Sequence, residues 1–278
     1  MPLYLAFLAV FLILWGLLAA LHPPIGRFAR VFADRIVSKW RFRDYLPVVL
    51  TLVAGMLLVG WAGDQFLDLA ELVHSKSPLL QRIDTRVHDW AVAKRYASAT
   101  SFFDVMTTIG GPVGVGVIGG VIFIVLLVRK RFRWAAYLAL TAAGGGALDW
   151  ELKRYFARAR PAVAEMLKHA SGYSFPSGHA MGSTVVFSAL AYLVLRAHIR
   201  WLWKAGAIAL ATTLVIGVSL SRVYLGVHWI SDVGAGITAG LLWVTMTTVA
   251  YETFRRIHLI RTLRHEDAAS SRRATRGE

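Results

Sequence analysis

Three short stretches of the sequence place ionisable side chains at the borders of long apolar runs. They are KRYFARARP at residues 153–161, PSGH at residues 176–179 and SRVYLGVHWISD at residues 221–232. Taken singly each is weak, because a lysine or arginine at the end of an apolar helix usually extends toward lipid headgroups. Together they carry three cations, Lys153, Arg160 and Arg222. The membrane topology predicted below places all three on the outer face, which is normally poor in cations. Such a concentration of positive charge requires a counter-ion.

A phosphoryl group is the counter-ion that these residue types fit. Guanidinium groups bind its oxygens in pairs, and a lysine adds a compact charge. The backbone of residues 177–179 opens a predicted helix, so its free N–H groups and the positive end of the helix dipole face an anion. A glycine at position 178 lets the main chain approach that anion closely. The sequence therefore predicts a phosphate site formed by Lys153, Arg160, Ser177, Gly178 and Arg222.

Two histidines and a carboxylate add the means for catalysis. His228 and Asp232 are four residues apart at the start of a predicted helix, so they share a face, and the carboxylate can hold one imidazole nitrogen. The other nitrogen is then free to attack phosphorus. His179 would protonate the leaving oxygen. Only the spacing of Asp232 favours His228 over His179 as the nucleophile.

The elements that position these residues are predicted to be membrane-spanning helices. The chain has 278 residues and is 56% hydrophobic, with a mean hydropathy of +0.54, and its apolar residues form blocks long enough for a hydrocarbon core of about 30 Å. We predict an all-α polytopic transmembrane helix bundle with spans at roughly 3–21, 46–63, 109–128, 134–150, 179–196, 204–221 and 229–251. The formal charge of +15 lies in clusters between the spans, which favours anionic lipid headgroups over nucleic acid as partners.

The charge clusters also predict the topology. Basic clusters between spans one and two, three and four, five and six, and after span seven all fall on one face, which is expected to be cytoplasmic. The candidate site then lies on the outer face, and the N-terminus is outside.

Four segments follow from this topology. They are two spans with a basic loop at 1–63, an extracytoplasmic amphipathic segment at 64–108, a catalytic core at 109–254 and a basic disordered tail at 255–278. Small-residue helix packing is expected to explain the glycines of residues 110–120 and 144–146.

The three stretches together resemble the type 2 phosphatidic acid phosphatase family, whose signature is shared with vanadium haloperoxidases. The resemblance covers roughly residues 80–250 and rests on order, spacing and placement: Lys153, six residues, Arg160-Pro161; Pro176 to His179; Ser221-Arg222, five residues, His228, three residues, Asp232. Two features depart from the pattern. Most relatives have a six-span core, so the first span here is extra, and Ile230 stands where relatives often carry proline.

The resemblance implies hydrolysis of a phosphate ester or anhydride through a phosphohistidine, without a metal or other cofactor. In it His228 is the nucleophile, Asp232 its orienting partner and His179 the general acid. Lys153, Arg160, Arg222, Ser177 and the Gly178 amide match the residues that hold the phosphoryl oxygens. The implied substrates are phosphates of membrane lipids, of the undecaprenyl pyrophosphate, phosphatidic acid, phosphatidylglycerol phosphate or lipid A type. The expected location is the bacterial cytoplasmic membrane.

Two other functions are compatible with the sequence. A phosphotransferase would pass the phosphoryl group from His228 to a lipid or sugar acceptor in place of water. An anion or lipid transporter would instead line a path with charges through the depth of several spans, whereas the candidate site residues cluster near one face.

Overall fold

The computed structural model describes residues 3–32, 46–161 and 166–276, and within them the fold is a bundle of nine α-helices without β-strands. The all-α prediction is thereby confirmed. The helices are α1 (Leu3–Phe32), α2 (Leu46–His74), α3 (Pro78–Ala93), α4 (Ala97–Gly110), α5 (Pro112–Val128), α6 (Phe132–Phe156), α7 (Gly178–Arg196), α8 (Trp201–Tyr224) and α9 (Ile230–Arg276). The basic loop predicted after the first span falls mainly on residues 33–45, outside the described residues.

Five of these helices are long and apolar enough to cross a membrane: α1, α2, α7, α8 and α9. A sixth crossing arises if α4 and α5, which meet at an angle of 50°, form one bent span. The bend falls at Gly111, directly before Pro112, whose missing N–H suits the first position of a new helix. Helix α6, which contains the predicted span at 134–150, is not among the five.

Close contacts between small residues fix the centre of the bundle, where α7 packs against α8 and α9. A Cβ atom on Gly236 of α9 would lie 2.6 Å from the carbonyl oxygen of Ser177, so only glycine allows the two helices to meet there. Gly144 of α6 is similarly covered by the Trp243 ring. Packing does not explain every glycine, however. A Cβ atom on residue 116, 120 or 146 would meet no neighbouring atom within 4 Å.

Helix α1, the predicted extra span, lies against α8. Two indole groups hydrogen-bond across the pair: Trp15 Nε1 donates to the Leu202 carbonyl over 2.8 Å, and Trp201 Nε1 donates to the Leu18 carbonyl over 3.0 Å. Near the other end of α1, the Phe7 ring packs against Phe102 of α4, with centroids 5.5 Å apart. The added helix is therefore tied to both α8 and α4.

The segment at 64–108 is helical, as predicted, but it is more closely integrated with the bundle than an independent surface segment. Helix α2 continues to His74, and α4 leads into α5. In α3 the buried residues are Leu80, Asp84, His88 and Ala91, whose spacing marks one inward-facing side. The tail also departs from the prediction of disorder, because α9 continues as helix to Arg276.

Candidate active site

The three chemical stretches meet at one end of the bundle. The end of α6, the loop that follows it, the start of α7, the end of α8 and the start of α9 converge there. Lys153 Nζ donates to the Pro176 carbonyl, the Ser177 amide donates to the Asp232 carbonyl over 2.9 Å, and Arg160 Nη1 donates to the Val227 carbonyl over 2.8 Å. Each of these contacts joins two stretches that are distant in the sequence.

His228 and Asp232 form a buried pair, but they do not share a helical face as predicted, because His228 lies two residues before α9 and only Asp232 is in its first turn. His228 Nδ1 lies 3.3 Å from Asp232 Oδ2, and the two residues are 2% and 0% exposed. His228 Nε2 lies 3.0 Å from Arg160 Nη1. Because a guanidinium can only donate, Nε2 is the acceptor, and the ring proton is on Nδ1, where it is donated to the carboxylate. The nitrogen with the free electron pair therefore points toward the cation of Arg160.

The surroundings of His228 keep its ring neutral. Burial lowers the pKa of His228 well below its ordinary value, and the positive charges of Arg160, Arg222 and Lys153 lower it further. A neutral imidazole is the form that can act as a nucleophile.

Arg160 is held in place by backbone carbonyl groups. Its Nε donates to Gly172, its Nη2 donates to Ser171 and Tyr173, and these distances are 3.0–3.1 Å. With the Val227 contact, the loop surrounds the guanidinium while it remains beside His228. None of these partners carries a negative charge, so the cation is fixed without being neutralised.

Ser177 is the N-cap residue of α7, and its role differs in detail from the prediction. Its amide is not free, since it donates to the Asp232 carbonyl, so it does not face an anion. Its hydroxyl is 0% exposed and has no hydrogen-bond partner among the described residues. The side chain, not the amide, is thus the group that remains available for a phosphoryl oxygen.

Gly178 and Lys153 meet at the carboxylate of Asp149. Lys153 Nζ lies 2.9 Å from Asp149 Oδ1, and a Cβ on Gly178 would lie 2.8 Å from Asp149 Oδ2. The glycine is therefore required by its protein neighbour as well as by any anion. Sequence reasoning gave Asp149 no role in the site.

Arg222 is a buried cation with one side left unpaired. It is 5% exposed, its Nη1 donates to Thr107 Oγ1 of α4, and its Nε has no partner among the described residues. An unpaired donor on a buried guanidinium is costly, which fits a site built to take an anion.

His179 lies in the first turn of α7, next to the bend between α4 and α5. A Cβ on Gly111 would lie 3.1 Å from His179 Nε2, so the bend comes close to the ring. The ring also lies within electrostatic range of His228, Arg222, Lys153 and Arg160. The structure thus places the predicted acid among the other site residues.

Arg158 and Asp84 belong to the site, although sequence reasoning did not select them. Arg158 Nη1 lies 2.6 Å from Asp232 Oδ1, and its Nη2 lies 2.6 Å from Asp84 Oδ2 of α3. Two signals were available: the alternation of Arg158 and Arg160 in a non-helical stretch, and the position of Asp84 on the inward side of α3.

An apolar groove of about 440 Å³ leads from the site into the bundle between α5, α6 and α7. Asp149 and Gly178 lie at the end next to the site. Its walls include the glycines 116, 119, 120, 145, 146 and 182. In the part of the chain that the structure describes, no group of three or more histidine and acidic side chains could hold a metal ion.

Comparison with known proteins agrees with this geometry. The PAP2 superfamily profile matches residues 132–256. Phosphatidylglycerophosphatase B of Bacillus subtilis is 32% identical over 185 residues, which are 64% of this chain and 86% of that protein. An undecaprenyl-diphosphatase of Sulfolobus acidocaldarius is 40% identical over 81 residues, 29% of this chain and 34% of that one.

Among solved structures, the chain is similar to the first transmembrane PAP2 type phosphatidylglycerolphosphate phosphatase from Bacillus subtilis. The TM-score is 0.63 and the identity 28%, over 68% of this chain and 94% of that one.

Proposed function

The chain belongs to the PAP2 superfamily, and we propose that it is an integral-membrane lipid phosphatase that works through a phosphohistidine on His228. The observation that carries the proposal is the state of His228. Its Nδ1 is bonded to a buried carboxylate, its Nε2 lies 3.0 Å from Arg160 Nη1, and nearby Arg222 has an Nε without a hydrogen-bond partner among the described residues.

The reaction would proceed in two displacements. In the first, the Nε2 electron pair attacks phosphorus, the N–P bond forms and the bond to the leaving oxygen breaks. His179 gives its proton to that oxygen, and Asp232 stabilises the positive charge on the phosphorylated ring. In the second, water attacks the same phosphorus, His179 takes the proton of the water, and inorganic phosphate leaves with the N–P bond broken.

The phosphoryl oxygens would be held by the cations and by the start of α7. Arg160 and Arg222 offer guanidinium donors, Lys153 adds a point charge, and the Ser177 hydroxyl and Gly178 amide complete the site. Negative charge that develops on these oxygens in the transition state would be stabilised in a buried setting, where such interactions are strong.

The groove between α5, α6 and α7 supports a lipid as substrate. Its apolar walls suit a hydrocarbon tail, and it ends beside Gly178, next to the phosphate site. A phosphatidylglycerol phosphate type substrate comes first, because the named activity of the relative with 86% coverage is phosphatidylglycerophosphatase. Undecaprenyl pyrophosphate, phosphatidic acid and lipid A phosphates are the other candidate substrates.

We place the enzyme in the bacterial cytoplasmic membrane with the site on the outer face. Support comes from the opposite end of the bundle, where the basic clusters at 129–133, 196–204 and 255–264 lie.

Phosphate release by the detergent-purified protein tests the proposal. The panel of lipid phosphates is assayed with EDTA present, beside His228→Ala, and with vanadate as an inhibitor. We expect release that persists in EDTA, is abolished in the variant and is blocked by vanadate. Dependence on added magnesium would contradict the mechanism.

Two further measurements test the phosphohistidine intermediate and the identity of the phosphoryl acceptor. Quenched reactions with a ³²P-labelled substrate should yield an acid-labile, base-stable phosphoprotein that His228→Ala does not form. Transfer of the label to an added alcohol in place of water would identify a phosphotransferase instead.

A further inference from the structure

Arg158 joins two buried carboxylates that come from different helices, Asp84 of α3 and Asp232 of α9. Asp232 is 0% exposed and Asp84 is 2% exposed, and each lies 2.6 Å from a different nitrogen of the same guanidinium. Asp232 in turn holds His228. Four side chains therefore form one continuous chain from α3 to the reacting nitrogen: Asp84, Arg158, Asp232 and His228.

Asp84 is also bonded directly to the start of α9. Its Oδ1 accepts the Ser231 amide over 3.1 Å, and its Oδ2 accepts the Ser231 hydroxyl over 2.7 Å. The same hydroxyl accepts a 2.7 Å bond from Arg158 Nη1. Ser231 precedes Asp232, so Asp84 fixes both the backbone that carries Asp232 and the cation that pairs with it.

The geometry of the loop explains why two arginines serve different partners. Residues 157–160 are not helical, so helical periodicity does not fix the directions of the Arg158 and Arg160 side chains. Arg160 faces His228 Nε2, while Arg158 lies on the carboxylate side of the pair. The two cations thus approach the His228–Asp232 pair from its two ends.

We propose that Asp84 is a positioning residue of the reaction: through Arg158 it holds the Asp232 carboxylate and limits how much of the Arg158 charge acts on His228. Without Asp84, the positive charge of Arg158 would be compensated by Asp232 alone. The Asp232 carboxylate would then bind the His228 proton less strongly. The inference rests on the proposed role of His228 as nucleophile.

Several other charged or titratable groups lie near His228 or its immediate neighbours. They are the same in the wild type and in the Asp84 and Arg158 variants described below. They are His88 on α3, Asp149 and Lys153 on α6, Arg160 in the loop, His179 on α7 and Arg222 on α8. Because these groups are the same in every variant, a shift of the pH profile in the Asp84 and Arg158 variants reflects the change of charge at those two residues.

Two substitutions are expected to move the acidic limb of the kcat/KM profile in opposite directions. Asp84→Asn removes a negative charge, so His228 binds a proton less strongly and the limb moves to lower pH. Arg158→Gln removes a positive charge between two carboxylates, so the limb moves to higher pH. Each shift should be about 0.5–1 pH unit, with kcat reduced by about 10-fold and KM nearly unchanged.

The experiment measures kcat, KM and the pH profile with whichever lipid phosphate the wild type hydrolyses best. Asp89→Asn is the matched control, since Asp89 is exposed on the same helix and makes the same change of charge. The double variant Asp84→Asn with Arg158→Gln should return the limb toward its wild-type position. Arg158→Lys should keep that position even where kcat falls.

A purely structural role predicts lower activity without opposite shifts. The inference is overturned if Asp84→Asn behaves like Asp89→Asn, or if the Asp84 and Arg158 variants shift the limb in the same direction. If Asp84→Asn does not fold, the contrast between Arg158→Gln and Arg158→Lys decides, and equal limbs in those two overturn it. An inactive wild type, or an active His228→Ala, would instead count against the proposed function.

Discussion

Each end of the bundle contains a buried carboxylate that is paired with arginine. At the end opposite the site, Glu252 of α9 is 5% exposed and accepts two bonds from Arg255, one from Arg256 and one from the Tyr192 hydroxyl, at 2.7–3.0 Å. At the site, Asp232 is divided between Arg158 and His228. The residue types at the two ends are almost the same.

The difference lies in which donors remain unused. Around Glu252 the partners come from α9 itself and from α7, and they saturate both carboxylate oxygens. Around Asp232 the contacts continue through His228 to Arg160, and the site also contains the unpaired Ser177 hydroxyl and Arg222 Nε. A saturated cluster stabilises a fold, whereas a cluster with unused donors at a pocket can bind and transform a ligand.

The largest effect that would sharpen this contrast is the loss of His228. His228→Ala should reduce turnover by about 10⁴-fold or more, because in the proposed mechanism His228 forms the covalent intermediate. Phosphate release per mole of folded protein is the measurement, with size-exclusion profiles matched to the wild type. Residual activity within 10-fold of the wild type would remove His228 from the centre of the mechanism.

Loss of one phosphate-holding cation should have the next largest effect. Arg222→Gln is expected to lower kcat/KM by about 10²–10³-fold, since a neutral amide replaces the buried guanidinium that we propose stabilises transition-state charge. Arg200→Gln, which changes an exposed arginine at the opposite end, is the control and should retain wild-type kinetics. Equal effects of the two would mean that total charge, not the site, governs activity.

At the saturated end the same kind of change should affect stability and leave the kinetics alone. Glu252→Gln deprives the neighbouring arginines of their counter-charge and should lower the free energy of unfolding by about 1–3 kcal/mol. Thermal unfolding in detergent, beside the exposed control Glu71→Gln, measures it. A loss of kcat at unchanged stability would contradict the division between the two ends.

The smallest effect concerns pH. Burial and three nearby cations lower the pKa of His228, so the neutral nucleophile persists below the ordinary histidine value of about 6.5. We expect the acidic limb of kcat/KM to have its midpoint below pH 6.5. A midpoint above 6.5, measured in buffers of constant ionic strength, would show that His228 is not shielded as the structure indicates.

The sequence predicts much of the site because motif spacing and helix ends determine it. The motif spacing correctly pairs His228 with Asp232, although His228 lies two residues before α9 begins, and the position of Gly178 at the start of α7 follows from helix-end geometry. The partners from α3 and α4 could not be predicted in this way. Asp84 and Thr107 contact the site only through tertiary packing, and Asp84 resembles any other acid in an amphipathic segment until the bundle is assembled.

The two indole bonds between α1 and α8 have a consequence for how the protein is made. Trp15 and its acceptor Leu202 are 187 residues apart, and Trp201 and Leu18 are separated by 183. The first helix is synthesised long before its partner exists, and inside a bilayer an unbonded N–H is unfavourable. Its docking must therefore be a late event in biogenesis, and until then Trp15 requires a temporary acceptor from lipid headgroups, water or the insertion machinery.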